Sequence, residues 1–171
     1  MTVLIDDALA TTFLTMPIRE GWIDDVSGIE IRAGLTAADV TADDIALLPL
    51  PEATLLTQTH VIDRSIAIVH DGAGMVAMRT HVRPDEIDQV TVYLQEVGAT
   101  GEVLTRALLR PYFGIEATGV SRDEPPDDAQ VVVTEGAAAL TPIETGFRED
   151  LARSWFIMTG KAYVSHVTVI G

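Results

Sequence analysis

The chain of 171 residues has no cysteine. That excludes disulfides, thiolate metal ligands and cysteine nucleophiles. Positive charge is scarce: 11 Lys and Arg stand against 26 Asp and Glu, for a formal net charge of −15. The few cations are scattered, so the surface repels nucleic-acid phosphates and anionic membranes. No apolar run approaches the roughly 18 residues of a transmembrane helix. No basic segment leads into an apolar one as in a secretory signal. These absences predict a cytoplasmic protein with no nucleic-acid partner and no membrane partner. With 47% hydrophobic and 22% charged residues, the chain is also no disordered polymer, because it has a core to bury.

Short apolar runs alternate with amphipathic ones. Residues 2–5 read as a strand, and 8–20 as a helix bent by Pro17. Residues 28–31 read as a strand, and 35–43 as a small helix with Thr36 as its N-cap. A strand over 44–50 and a helix over 51–58 complete three strand–helix steps. Two extended runs, 61–70 and 75–82, flank Asp71-Gly72-Ala73-Gly74 and predict a hairpin. A second unit follows. It has a strand over 90–94, a helix over 101–113 closed by Gly114, an acidic loop over 119–128 and a strand over 129–134. A helix begins at Glu135, another spans 147–158, and a strand over 162–170 returns. Strands separated by helices predict an α/β protein with mostly parallel sheets.

Gly72-Ala73-Gly74-Met75-Val76-Ala77 spells G-x-G-x-x-A, but a dinucleotide fingerprint needs a helix after the glycines. The extended run and Pro84 favour a turn instead. His60, His70, His81 and His166 lack metal-ligand spacing, so no metal and no cofactor are expected. Among the acidic pairs, Asp6-Asp7 stands apart because it ends the first strand, where open α/β sheets place ligand groups. Gly98, Thr100 and Gly101 lie between a strand and a helix, where small residues and free N–H groups favour an anion. Thr134 and Glu135 form the same corner of the next step. Arg64, between Asp63 and Ser65, offers a guanidinium fork for a carboxylate or a surface pair with Asp63. No G-x-S-x-G elbow occurs, and the sequence alone assembles no Ser/His/Asp triad.

The order of elements resembles the two-lobed type II periplasmic-binding-protein fold. Within it, the chain is similar to the chorismate dehydratase family of the futalosine route to menaquinone. The likeness rests on 90–114, ending Tyr112-Phe113-Gly114-Ile115-Glu116, and on Asp150-Leu151…Trp155…Thr159-Gly160…Tyr163-Val164. It departs at Asp6-Asp7-Ala8-Leu9, where the family carries Tyr-Leu-Asn. It departs again at Ile62-Asp63-Arg64-Ser65, which lacks Gly-Pro, and in ending on the returning strand without closing helices.

The resemblance implies two small lobes with mostly parallel sheets joined by two extended crossovers. Lobe one would be 1–84 plus 162–171, and lobe two 85–161. A carboxylate or other polar metabolite would bind between them, with Asp6, Asp7, Asp63, Arg64, Ser65, Gly98, Thr100, Gly101, Thr134 and Glu135 as candidate contacts. Two alternatives stand beside a binding protein. One is a dehydratase-type enzyme acting on chorismate or a related acid. The other is a non-catalytic subunit whose homodimer covers the open side of lobe one.

Overall fold

A computed structural model describes residues 1–71 and 74–171. In chain order, β1 (Val3–Asp6), α1 (Thr12–Arg19), β2 (Ile29–Arg32), β3 (Ile45–Pro49), α2 (Leu50–Leu55) and β4 (Val61–His70) come first. Then come β5 (Val76–Thr80), β6 (Gln89–Gln95), α3 (Ala99–Leu108), β7 (Glu116–Ser121) and β8 (Val131–Glu135). Last are α4 (Ala137–Leu140), β9 (Phe147–Asp150), α5 (Leu151–Thr159) and β10 (Tyr163–Ile170). The chain divides into two compact units, Met1–Val69 with Val164–Gly171, and His70–Tyr163.

The first unit holds a five-stranded sheet in the order β2-β1-β3-β10-β4. β1 runs parallel to β2 and β3, and β10 runs antiparallel to β3. The β3 sequence Ile-Ala-Leu-Leu does not alternate because it is covered on both faces. Ala46 and Leu48 pack with Leu4, Ala53, Val167 and Val169, while Leu47 meets Ile5 and Ile68 on the other side. α1 lays Leu14 and Ile18 on that second face. Asp44 ties the entry of β3 to the start of β1. Its carboxylate accepts the Thr41 hydroxyl at 2.6 Å, the Thr41 N–H at 3.0 Å and the Thr2 N–H at 3.1 Å.

The second unit holds another five-stranded sheet, in the order β7-β6-β8-β5-β9. β6 is parallel to β7 and β8, and β5 is antiparallel to β8 and β9. Met78, Val92, Leu94, Val131 and Val133 form one buried face under Leu104 and Leu108 of α3 and Leu151 of α5. α3 continues into a π-helical turn over Leu109–Phe113 and stops at Gly114. The φ of +77° there is left-handed, which glycine adopts without strain.

The two strand orders are one pattern. β1, β2, β3 and β4 in the first sheet correspond to β6, β7, β8 and β9 in the second. The antiparallel strand that separates the third of these from the fourth is β10 in the first sheet, which follows the whole second unit in sequence, and β5 in the second, which directly precedes β6.

Several expectations change here. The 61–70 and 75–82 runs are not a hairpin, because β4 joins the first sheet and β5 the second. That pairing puts the unit boundaries after 69 and after 163, not after 84 and 161. Gly72 and Ala73 of the G-x-G-x-x-A motif lie outside the described residues, and β5 follows them where a dinucleotide site needs a helix. Residues 116–121 form edge strand β7, part of which read as loop. Residues 147–150 are strand β9, because Asp150 begins α5 by accepting the N–H groups of Ala152 and Arg153.

Candidate functional site

The carboxyl edge of the first sheet gathers Asp6, Ser165 and His166. Asp6 is the last residue of β1, and His166 lies opposite Pro49, the last residue of β3. All three side chains are buried. Asp6 Oδ1 accepts the Leu35 N–H at 2.9 Å, and Oδ2 lies 3.1 Å from His166 Nε2. The other ring nitrogen, Nδ1, lies 3.0 Å from Ser165 Oγ. An ionised Asp6 only accepts, so Nε2 carries a proton toward it. In the tautomer with that proton on Nε2, Nδ1 accepts the Ser165 hydroxyl, so the three side chains form one hydrogen-bonded line. Asp7 takes no part. It turns outward to an ion pair with Arg19.

The carboxyl edge of the second sheet gathers Gly98, Thr100, Gly101 and Glu135. β6 and β8 are parallel neighbours, so the loop after one and the end of the other meet. Glu135 Oε2 accepts the Gly98 N–H at 2.7 Å, at the N-cap of α3. Gly101 passes close beneath it: an added methyl group would lie 2.5 Å from Glu135 Oε2 and 2.9 Å from Val97 Cγ1. The Thr100 carbonyl accepts the Tyr163 hydroxyl at 3.0 Å. Burial raises the Tyr163 hydroxyl far above its usual range, and the nearby Glu135 charge adds to that. His70 packs against the Tyr163 ring, with centroids 5.8 Å apart. Thr134 is buried beside Glu135 but points to the opposite face of the sheet.

Asp63, Arg64 and Ser65 form a separate group in which Arg64 and Ser65 are exposed and Asp63 is half-buried. Asp63 accepts both the N–H and the hydroxyl of Ser65, and these bonds lower its carboxyl below the usual value. Thr168 Oγ1 donates to the Ile66 carbonyl at 3.1 Å, and His70 meets Tyr163, so β4 runs antiparallel to β10. Asp63–Ser65 therefore lie toward the Ile170 end of β10, away from Asp6 and His166.

Sequence reasoning did not single out Ser165, His166 or Tyr163 as site residues. The available signal was a polar Ser-His pair set inside the mostly apolar run of β10.

No protein-family model matches the chain, and no curated protein does. Solved structures do. Protein AF1704 from Archaeoglobus fulgidus superposes with a TM-score of 0.62 at 13% identity, over 98% of this chain and 67% of that one. A periplasmic substrate-binding protein of an ABC transporter from Coxiella burnetii gives 0.47 at 9% identity, over 99% of this chain and 84% of that one. A substrate-binding domain of a putative amino acid ABC transporter from Streptococcus pneumoniae gives 0.42 at 9%, over 99% and 84%. The fold is that of the type II periplasmic-binding proteins. At these identities the likeness is one of fold. Both sheets have the same strand order, each with one antiparallel strand set among parallel ones. Each sheet presents a polar group at its carboxyl edge, the place where open α/β sheets put ligand contacts.

Proposed function

We propose that the chain binds a small polar metabolite carrying a carboxylate. One observation carries the reading: the start of α3 is already shaped around a carboxylate. Glu135 supplies it, on the Gly98 N–H, and Gly101 leaves no room for a side chain beside it. N–H groups at a helix start favour an anion through both hydrogen bonding and the helix dipole. A ligand carboxylate takes the same donors when the Glu135 side chain rotates away.

The test is a thermal-shift screen with chorismate, other aromatic acids, and small di- and tricarboxylates. A ligand at 100 times its dissociation constant adds about 2.7 kcal/mol, or roughly 5–10 °C in a chain of this size. No shift with any of these acids would overturn the binding reading.

A second reading, a dehydratase-type enzyme acting on chorismate or a related acid, draws support from the Asp6–His166–Ser165 chain. Elimination of water needs a base for a C–H proton, and a histidine backed by a carboxylate can draw one through Ser165, whose oxygen takes the substrate proton as its own passes to His166 Nδ1. Shift with chorismate together with loss of its absorbance on incubation supports this reading. Binding without turnover leaves the first.

A further inference from the structure

A cleft of about 440 Å³ opens in the second unit, a size typical of small-molecule pockets. Its wall holds three aromatic rings, Tyr112, Phe113 and Phe147, together with Glu149 and the pair Arg83 and Asp85. The topology brings them together. Phe147 and Glu149 are alternate residues of the edge strand β9, so they share a face. Glu149 is opposite Met78, and that face packs under α3. The π-helical turn that ends α3 packs Tyr112 and Phe113 against the same core. Such turns recur at functional sites. The cleft is remote from the carboxyl edge. Gly98 caps the start of α3 and Tyr112 and Phe113 follow its end, and ten helical residues span about 15 Å.

The rings of Tyr112 and Phe113 meet edge to face, with centroids 4.8 Å apart and planes at 87°, and so form a corner. Phe147 is 41% exposed beside them. Arg83 and Asp85 offset each other as an ion pair at 3.3 Å. Glu149 is the uncompensated charge in this wall. It is half-buried and has no hydrogen bond or ion pair with any described residue. It also lines an adjoining cleft that carries Arg148 and Arg153, and neither pairs with it. Arg148 donates instead to the Ala139 carbonyl. A carboxylate partly removed from water beside aromatic rings favours a cation, through its own charge and through the ring faces.

We propose that this cleft binds a small organic monocation, an ammonium carried on an aromatic or other apolar body. The ammonium donates to the Glu149 carboxylate, and the body lies in the corner of Tyr112 and Phe113. Charge sets the class. A neutral ligand leaves Glu149 unmatched, an anion meets Glu149 and Asp85, and a second positive charge meets Arg83. The net charge of −15 draws cations toward the chain.

The experiment titrates the full chain with phenethylamine as its ammonium, with phenylethanol as the neutral match and with phenylacetate as the anion, followed on backbone amides in nitrogen-15 spectra. The expected result is saturable shifts at Tyr112, Phe113, Phe147 and Glu149 with the ammonium. The alcohol should bind roughly tenfold more weakly or worse, and phenylacetate should not saturate. Glu149→Gln keeps the size, removes the charge, and should weaken the ammonium by about tenfold or more. Phe147→Leu keeps an apolar side chain, removes the ring, and should weaken it by about two- to fivefold. The amides of β6 and β8 report in the same spectra that each variant is folded. Equal affinity for ammonium and alcohol, or unchanged affinity in Glu149→Gln, overturns the proposal. Shifts scattered over the acidic surface and erased by sodium chloride mark a counterion only, and overturn it as well. The Gly98 amide reports the carboxyl edge separately, so failure here and failure of the carboxylate reading are distinguishable.

Discussion

The carboxylate of Glu135 spans the first turn of α3 to accept the N–H of Gly98 at 2.7 Å. The two residues are 37 positions apart, and Gly101 is what lets them meet. Gly101→Ala puts a methyl group against Glu135 Oε2 and Val97. Such overpacking costs about 1–3 kcal/mol, offset by about 1 kcal/mol of better helix propensity. The expected variant is destabilised and has lost the Glu135–Gly98 bond, seen as faster hydrogen exchange at Gly98. A variant with wild-type stability and an equally protected Gly98 amide would show that Glu135 is not held there by close packing.

Glu135→Gln keeps an acceptor for Gly98 but removes the negative charge. A carboxylate probe then enters α3's first turn without like-charge repulsion and should bind several-fold more tightly, measured by calorimetry with the acids that shift the wild type. The same change acts on Tyr163, whose hydroxyl is raised by burial first and by Glu135 second. Tyrosine ionisation followed by ultraviolet absorbance should show one of the three tyrosines titrating only as the chain unfolds. A group raised in the folded state stabilises fully below its unfolded value near 10, and its contribution to pH dependence is lost as pH rises through the folded value. Glu135→Gln should move that last titration to lower pH. An unmoved titration would remove Glu135 as a neighbour of the ring.

Residues 45–48 show what local sequence carries. An unbroken apolar run of strand length states burial on both faces, and β3 has it. Asp71-Gly72 states that the chain turns, but not where the next strand goes; β5 found its partners β8 and β9 more than fifty residues on. Asp150 is an N-cap inside what reads as one helical stretch, and it marks where β9 ends and α5 begins. The candidate site was half legible for the same reason. Gly98, Gly101 and Glu135 occupy corners that any parallel strand–helix step creates. The Asp6–His166 contact joins positions 160 apart, and only the arrival of β10 beside β3 makes it.

Asp44 makes acid the weak side of the first unit. Its carboxyl sits below the ordinary 3.8 because of the Thr41 hydroxyl first, then the N–H groups of Thr41 and Thr2. A lowered folded value gives stability that is present above the unfolded pKa and lost as pH falls through the folded one. Melting temperature should therefore drop below about pH 4. Asp44→Ala should melt lower at neutral pH, with the gap to wild type closing in acid. A gap of constant size across the same range would assign Asp44 no role in acid sensitivity.

Asp6 and His166 give a graded pair of substitutions. Asp6→Ala leaves the Leu35 N–H and the His166 ring nitrogen buried without their acceptor, at about 2–5 kcal/mol. Asp6→Asn keeps the oxygen for Leu35 and turns an amide toward His166. The ring must then accept at Nε2 and donate from Nδ1 to Ser165, so the loss should be smaller. Urea unfolding read on β1 amides measures both. Equal losses would mean that the ring cannot change tautomer, and that Ser165 bonds it only as a donor.

Arg64 decides between two placements of the ligand. A guanidinium that grips a ligand carboxylate is worth about 1.5–3 kcal/mol through a charged hydrogen bond, so Arg64→Ala would weaken binding at least tenfold if Arg64 were a contact. The strand register argues otherwise. Ile66 is level with Thr168, and Thr168 is opposite Leu47, two places from the Pro49–His166 pair at the carboxyl edge. Arg64 lies two residues further from that edge, beside Asp63 and Ser65, which satisfy each other. Arg64→Ala should therefore bind the wild-type ligands with unchanged affinity and unfold at nearly the wild-type temperature, because Arg64 is exposed. A tenfold loss with intact stability would bring Arg64 back to the ligand. It would place the anion at the Ile170 end of β10, away from the carboxyl edge of the first sheet.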